Sequence, residues 1–212
     1  MRILALILTM TFIADKSYAR FAEISEAYYK YFQQDLVIID KDGNAEIRSI
    51  QKFTALKQAV LESMGSVTLT KTYYDNYTDI KAHTIKKDSG TKITADQRTT
   101  DRSPGNGFDS TKDILIKFKD LTVGDSIEWS FSNNETPAYI NHFSQHQLLS
   151  NKGILEAGTS WSYTSDIPLF FGLHDPNNLL EGKIKIKKWK DELGKHQVEI
   201  KILEDIYLSV VS

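Results

Sequence analysis

Apolar and polar residues alternate along several short stretches of this chain, and that period of two limits the folds it can adopt. In the clearest stretch Ile127, Trp129 and Phe131 alternate with serine and glutamate. Successive side chains of a β-strand point to opposite faces, so this stretch is typical of a strand with one buried and one solvated face. Several such strands separated by turn residues predict an all-β fold, an antiparallel β-sandwich.

The first hairpin is predicted around Asp42-Gly43, which separates two stretches rich in β-branched residues. Glycine accepts the positive φ of a tight hairpin turn without a Cβ clash. The sequence leaves the register open. A two-residue turn pairs Ile38 with Ile47, and a three-residue loop pairs Val37 with Ile47 instead.

The C-terminal hairpin has a more definite register. Glu192-Leu193-Gly194 is interpreted as a three-residue loop with glycine in the left-handed position. The expected partners are apolar across one face and oppositely charged across the other, which favours this register. The pairs are Ile184 with Ile202, Ile186 with Ile200, and Lys187 with Glu199.

One short helix is predicted near residues 54–64. Apolar residues recur at every fourth position from Leu56 to Met64, which gives a single buried stripe, and Thr54 is a candidate N-cap. Farther along, the polar and glycine-containing stretch 97–110 predicts a loop.

The N-terminal residues have the layout of a secretory signal. Arg2 precedes an apolar run that ends at Ile13, and Ser17-Tyr18-Ala19 places small residues where signal peptidase cleaves. The run is shorter than the about 20 residues that a membrane-spanning helix needs. We therefore expect a periplasmic or secreted protein. The predicted division is a signal peptide over 1–19, a lead-in segment over 20–34 and a β-sandwich domain over 35–212.

Composition excludes several classes of site and partner. The 212 residues include no cysteine, so the chain has no disulfide, no thiolate metal site and no cysteine nucleophile. The formal net charge of −2 offers no concentrated positive charge for a nucleic acid. No second apolar run is long enough for a transmembrane anchor. We expect neither a nucleic-acid partner nor such an anchor.

The order of several motifs resembles a known family. The motifs are the hairpin at Ile38–Gly43, Tyr73-Tyr74, the strand-turn-strand Ile114–Phe131 with Gly124-Asp125 at its turn, His146-Gln147-Leu148 and Ile167-Pro168. This order resembles the bacterial exported domain of unknown function 3857 family, which usually lies N-terminal to a transglutaminase-like domain. The resemblance implies a β-sandwich and an envelope location, and it supplies no catalytic residues.

The missing cysteine separates this chain from the chemistry of the usual neighbouring domain. Transglutaminase-like catalysis begins with a thiolate, which no residue of this chain can provide. The sequence therefore predicts a protein that is not an enzyme of that kind, either a stand-alone member or a truncated one. We assign no catalytic, cofactor-binding or metal-ligating residue and expect no cofactor.

Three histidines offer an alternative that involves catalysis. His142 and His146 are four residues apart, a spacing that suits a shared metal, but no third ligand lies near them in the sequence. His174 precedes an aspartate that could orient its imidazole for base catalysis. A hydrolase that uses His142, His146 or His174 is one alternative to a non-catalytic module.

Two surface features offer binding alternatives. Five lysines between Lys183 and Lys190 suit an anionic surface, or else form the solvated side of an edge hairpin. Tyrosines at 28–31 and at 73–77 could stack on sugar rings or pack within the strands. The main hypothesis is an exported accessory or binding module associated with transglutaminase-like proteins. Its partner is then a transglutaminase-like domain or an envelope polymer, and an envelope glycan-binding protein is the second alternative.

Overall fold

The computed structural model describes residues 6–7, 19–21, 26–102, 111–137, 153–172 and 180–210. These residues are mostly β-strand with one short helical segment, so the predicted all-β class is confirmed. In chain order the strands are β1 (Leu6–Ile7), β2 (Ala19–Phe21), β3 (Tyr29–Ile39), β4 (Ala45–Ala55), β5 (Ser66–Lys71), β6 (Asp75–Ile85), β7 (Lys92–Thr94), β8 (Asp96–Asp101), β9 (Lys112–Lys117), β10 (Ser126–Glu135), β11 (Gly153–Leu155), β12 (Ser160–Ser165), β13 (Leu169–Phe170), β14 (Ile184–Lys190), β15 (His196–Ile202) and β16 (Ile206–Val210).

Most of these strands belong to one large sheet. Its main path has the order β14-β15-β12-β3-β4-β10-β6-β7, and β2, β11 and β16 branch from that path. A second sheet has the order β5-β9-β8, and β1 pairs with β13. Neighbours are mainly antiparallel, but β12 and β11 both run parallel to β3. None of the helices in the described part of the chain is long and apolar enough to cross a membrane.

The structure decides the register of both predicted hairpins. Between β3 and β4, Val37 lies opposite Ile47, which is the register of the longer loop and not of the two-residue turn. Between β14 and β15, all three predicted pairs are found, including Lys187 opposite Glu199. The C-terminal prediction is therefore confirmed residue by residue.

The helical segment is confirmed near its predicted place, but it starts later than the predicted N-cap. A 3₁₀ turn at Gln58–Val60 leads into the helix α1 (Leu61–Met64). Thr54 lies inside β4, where its hydroxyl is 2.8 Å from that of Ser126. Pairing with β3 and β10 continues through this position, and such tertiary pairing overrides a local capping preference.

The predicted loop at 97–110 is partly a strand. Residues 96–101 form β8, which pairs with β9 along its whole length. All six side chains of β8 are exposed, so the strand has no apolar face that a sequence pattern could reveal. Residues 103–110 lie outside the described part of the chain.

One face of the large sheet carries the hydrophobic core, and we call it the inner face. Around β12 and β15 the core contains Trp161, Tyr163 and Ile200. Around β10 it contains Trp129, which packs in one cluster with Ile116 of the small sheet. The small sheet therefore forms a second layer over part of the inner face, as expected for a sandwich.

The opposite side of the large sheet, which we call the open face, is not covered in the same way. Leu36, Ile38 and Ile50 point to it and are 38%, 36% and 43% exposed. The two larger clusters use inner-face side chains of this sheet, and the small third cluster, with Ile154 and Tyr207, lies on the open-face side at the β11 end. Half-exposed aliphatic side chains at the centre of a sheet mark a surface that is available for contact.

The Gly124-Asp125 turn fixes the start of β10. The buried carboxylate of Asp125 accepts hydrogen bonds from Lys86 Nζ, from Lys87 N at 2.9 Å and from Thr122 N at 2.9 Å. Burial alone would raise the pKa of Asp125, but these hydrogen bonds outweigh it and hold the pKa far below its usual value. Gly124 has φ +95°, a conformation in which glycine avoids strain.

Candidate ligand groove

A groove with a volume of about 430 Å³ crosses the open face of the large sheet. Five neighbouring strands, β12, β3, β4, β10 and β6, provide its walls. The side chains that point into it from the open face are Gln34, Leu36, Arg48, Ile50, Asp79, Lys81, Ser130, Ser132, Ser160 and Ser162. A volume of this size lies within the range of about 300–1,000 Å³ that is usual for small-molecule sites.

Strand register brings these side chains together in two transverse rows. The first row runs Ser160, Gln34, Ile50, Ser130, Lys81, each residue opposite the next. The second row lies two residues along each strand and runs Ser162, Leu36, Arg48, Ser132. Residues two apart on a strand share a face, so the two rows form one continuous patch.

The groove combines an aliphatic floor with polar walls. Leu36 and Ile50 come from the central strands β3 and β4, and they keep more than a third of their surface exposed. On both sides the side chains are short, with two serines from β12 and two from β10. Within the described residues none of these four hydroxyls forms a side-chain hydrogen bond, and a hydroxyl can both donate and accept.

A β-bulge shapes the end of the groove formed by β6. The pairing of β6 with β10 shifts between Ser130 and Ser132, and Asp79 at the shift has φ +52°. A bulge re-aims the side chains beside it, and aspartate tolerates this region better than most residues. Asp79 and Lys81 are both exposed, and neither forms an ion pair in the part of the chain that the structure describes.

A buried polar network supports the floor of the groove from the inner face. Gln33 Nε2 donates to Asp35 Oδ2 at 2.6 Å, and the Ser49 hydroxyl donates to Asp35 Oδ1 at 2.7 Å. The Tyr31 hydroxyl donates to Gln33 Oε1, and burial, together with the Asp35 charge, raises the pKa of Tyr31. Buried networks that satisfy their members make the surrounding structure rigid, so β3 and β4 are held in place beneath Leu36 and Ile50.

The three candidate catalytic histidines, His142, His146 and His174, lie outside the described residues, and so does the His146-Gln147-Leu148 motif. The hydrolase alternative built on them is untested. In the described residues no group of three or more histidine, aspartate and glutamate side chains could hold a metal ion.

The lysine run lies on the edge strand β14, and several lysines of this hairpin face acidic partners. Lys183 forms an ion pair with Glu204, and Lys187 Nζ lies 3.8 Å from Glu199 Oε2. Charged side chains on an edge strand discourage pairing with another chain. This arrangement favours the solvated-edge interpretation over an anionic-surface site.

The tyrosines at 28–31 do not form a surface platform. The rings of Tyr29 and Tyr31 lie 5.4 Å and 4.4 Å from that of Phe53, and both tyrosines pack against core clusters. Tyr28 is half-buried, with the ammonium of Lys57 4.8 Å from its ring centroid. The sugar-stacking interpretation of this group is not favoured.

The second tyrosine group is only partly at the surface. Tyr77 packs against Phe131 with a centroid distance of 5.2 Å, and burial raises the pKa of Tyr77 to about 12. Tyr73 and Tyr74 are 85% and 44% exposed, with their rings perpendicular and 5.5 Å apart. The two perpendicular rings do not form one continuous flat surface, whereas the open-face groove combines an aliphatic floor with polar groups on both sides.

Sequence reasoning missed the groove residues. Their common signal is serine at alternate positions, Ser130 and Ser132 in one strand and Ser160 and Ser162 in another. That pattern also fits the ordinary solvated face of a strand. Only the sheet order, which places β3 and β4 between the two serine pairs, shows that they face one groove.

A solved structure has a similar fold. A putative protease from Parabacteroides distasonis ATCC 8503 aligns with a TM-score of 0.63 and 16% identity, over 87% of this chain and 36% of that chain. The chain therefore spans about a third of that protein, and the likeness concerns the fold alone. Native leukotriene A4 hydrolase from Saccharomyces cerevisiae aligns with a TM-score of only 0.37 and 10% identity, over 84% of this chain and 27% of that chain. No curated protein matches the chain.

A family model also matches this chain over residues 41–195, which is more than half of its length. The match includes the first hairpin turn, the Gly124-Asp125 turn, β10, β12 and β14. It agrees with the resemblance of the motif order in the sequence. The chain is a member of the DUF3857 family, a domain of unknown function for which a structure has been solved.

Proposed function

We propose that this protein is a non-catalytic, exported binding module that acts as an accessory to a transglutaminase-like protein. The observation that carries the proposal is the open-face groove, which combines a half-exposed aliphatic floor with serine hydroxyls that have no side-chain partner among the described residues. Binding sites commonly have this composition, a mainly apolar surface with a few convergent polar groups. Among the described residues, the groove lining provides hydroxyl, amide and charged side chains beside the aliphatic floor, which supports binding as its role.

The family and the fold neighbour support the accessory role. The sequence resemblance implies a position before a transglutaminase-like domain, and the Parabacteroides protein carries this fold as about a third of a longer chain named as a protease. A module without its own cysteine would then contribute recognition, while a separate domain contributes chemistry.

A binding experiment tests the accessory role. The exported chain is titrated with a transglutaminase-like protein from the same genome by biolayer interferometry, and we expect saturable binding. Ser162→Trp fills the groove and should weaken binding by about tenfold, equivalent to about 1.4 kcal/mol. Ser66→Trp is the matched control, because Ser66 is exposed on the small sheet away from the groove.

Two outcomes would contradict the proposal. The first is equal binding by both tryptophan variants, which would place the contact elsewhere. The second is hydrolysis of peptide or ester substrates by the purified chain alone, lost in Ser162→Trp and retained in Ser66→Trp.

The exported location has its own test. Cell fractionation followed by N-terminal sequencing should find a periplasmic or secreted protein that begins at Arg20. A cytoplasmic protein that retains residues 1–19 would contradict export.

A further inference from the structure

We infer that the open-face groove binds a neutral oligosaccharide. This inference rests on the proposed binding function and names the class of ligand. It is carried by the hydrogen-bonding groups of the groove, by its aliphatic floor and by its charge balance.

The polar groups of the groove match a ligand that both donates and accepts hydrogen bonds. The four serine hydroxyls can do both, the Gln34 amide has one donor and one acceptor group, Asp79 accepts and Lys81 donates. A sugar hydroxyl also donates and accepts. Each of these groove groups therefore finds a complementary partner on a ring that carries several hydroxyls.

The floor suits the other surface of a sugar ring. Leu36 and Ile50 leave 38% and 43% of their surface exposed in the middle of the groove. The C–H face of a pyranose can cover this surface while its hydroxyls point to the serines on either side. Covering it removes apolar surface from water, which contributes favourable free energy.

The backbone of these strands argues against an extended peptide. In the groove β3, β4 and β10 each have a neighbour on both sides, so their N–H and C=O groups are used within the sheet. Recognition of a peptide by strand addition needs an exposed sheet edge, which these three strands do not offer. A ligand that lies over them must be held by side chains.

The charges of the groove select a neutral ligand over an anionic polymer. Arg48 is already paired with Glu46, with Nη2 2.7 Å from Oε1. The Asp35 carboxylate points to the inner face, where Gln33 and Ser49 donate to it. The remaining charges that face the groove are therefore the Asp79 carboxylate and the Lys81 ammonium, which balance. Without an excess of positive charge, an anionic chain gains no electrostatic attraction that would offset its loss of hydration.

The groove side chains are also preorganised for a ligand. Serine is short and has few rotamers, so fixing its hydroxyl against a ligand costs little side-chain entropy. The buried network around Asp35 holds the two central strands from below. The groove therefore needs little rearrangement to receive a rigid ring.

Isothermal titration calorimetry tests the inference with four probes. Chitohexaose, cellohexaose and mannohexaose are the neutral probes, and hexagalacturonic acid is the anionic comparator. We expect at least one neutral hexasaccharide to bind with the same affinity at low and high salt. Ser162→Trp and, from the opposite wall, Ser132→Trp should weaken that binding by about tenfold, and Ser66→Trp should change it less than about twofold.

Circular dichroism shows which variants are folded. If Ser162→Trp fails to fold, Ser132→Trp still tests the groove.

The inference is overturned if no neutral probe binds the folded wild-type chain, or if hexagalacturonic acid binds more tightly than every neutral probe. If sugars fail while the transglutaminase-like partner still binds through the groove, the ligand class is wrong and the accessory function stands. If sugars bind and that partner does not, the ligand class stands and the accessory function falls.

Discussion

The protein contains two sets of one aspartate and one lysine whose surroundings are opposite. Around the Gly124-Asp125 turn, Asp125 is buried and is paired with Lys86, which follows β6 directly. Within β6, Asp79 and Lys81 are exposed on the rim of the groove and have no ion-pair partner among the described residues. Lys81 and Lys86 are only a few positions apart, yet Lys86 is paired with a buried aspartate, whereas Lys81 has no ion-pair partner among the described residues.

The difference separates structural polar groups from binding ones. A buried carboxylate that has lost its solvent must be compensated by fixed donors, and removing one partner leaves an uncompensated charge. An exposed pair on a rigid strand contributes little to stability but remains available to a ligand. Stability measurements should therefore respond strongly at the turn and weakly at the groove, and binding measurements should respond the other way round.

The largest effect is expected for Asp125→Asn. The amide cannot replace the charge that faces Lys86, and it introduces an N–H₂ where Thr122 and Lys87 already donate. Urea denaturation should show a loss of about 3 kcal/mol in the free energy of unfolding. A loss below about 1 kcal/mol would show that the Asp125 hydrogen bonds contribute little to stability.

The contribution of Asp125 should also depend on pH. Because the folded-state pKa is lowered, this contribution is fully present above the unfolded value of about 3.9 and is lost as the pH falls through the folded value. The difference in unfolding free energy between wild type and Asp125→Asn should be constant from about pH 5 to 7 and shrink below about pH 4. A difference that grows on acidification would contradict a lowered pKa of Asp125 in the folded protein.

A smaller loss is expected for Gly124→Ala. The new side chain would be held at φ +95°, and its Cβ would lie 2.5 Å from Lys87 Cδ, which must move. We expect a loss of about 2 kcal/mol in thermal or urea unfolding. Gly90→Ala is the control, since Gly90 has φ +67° with nothing within 4 Å, and it should cost about 1 kcal/mol. Equal losses would show that the contact with Lys87 has no cost.

Ser49→Ala tests the network beneath the groove. The substitution removes the hydroxyl that donates to Asp35 Oδ1 at 2.7 Å inside the protein. The expected loss is about 1.5 kcal/mol in the free energy of unfolding, because a buried carboxylate loses one donor. Ser162→Ala on the open face should change stability by less than about 0.5 kcal/mol. Similar losses of unfolding free energy for Ser49→Ala and Ser162→Ala would show that the inner-face hydroxyl is no more important for stability than the open-face one.

The smallest effect on stability is expected at the rim of the groove. Lys81→Ala and Asp79→Asn should each change the free energy of unfolding by less than about 0.5 kcal/mol, because both side chains are exposed and neither has an ion-pair partner in the described part of the chain. Asparagine tolerates the positive φ of residue 79, so the bulge is kept. Lys86→Ala, measured in parallel, should lose clearly more than Lys81→Ala, and equal losses would contradict the comparison.

The sequence predicted those parts of the fold in which local pattern and tertiary role agree. The β14–β15 register followed from alternating isoleucines, a glycine turn and the Lys187–Glu199 pair, all within one local segment. The β8 strand was not predicted, because all its side chains are exposed and its sequence therefore has no apolar alternation. The prediction of Thr54 as an N-cap was wrong, because the pairing of β4 with β10, far away in the chain, outweighs a local capping preference.

The groove could not have been predicted in the same way. Ser130 and Ser160 belong to strands that never pair, and they face one site because β3 and β4 lie between β12 and β10. That order depends on the parallel pairing of β12 with β3, which no short-range pattern encodes. The bulge that turns Asp79 toward the groove is likewise a product of pairing, since it appears only where β6 meets β10.

Chemical-shift mapping tests the central claim, that the open face is the binding face, most directly. In ¹H–¹⁵N spectra of the isotope-labelled chain, titration with the tightest neutral hexasaccharide should shift the amides of Leu36, Ile50, Ser132 and Ser162 together. The amides of the exposed Tyr73-Tyr74 pair and of the small sheet should stay in place. Shifts centred on that tyrosine pair, or no saturable shift of any groove amide, would contradict the claim.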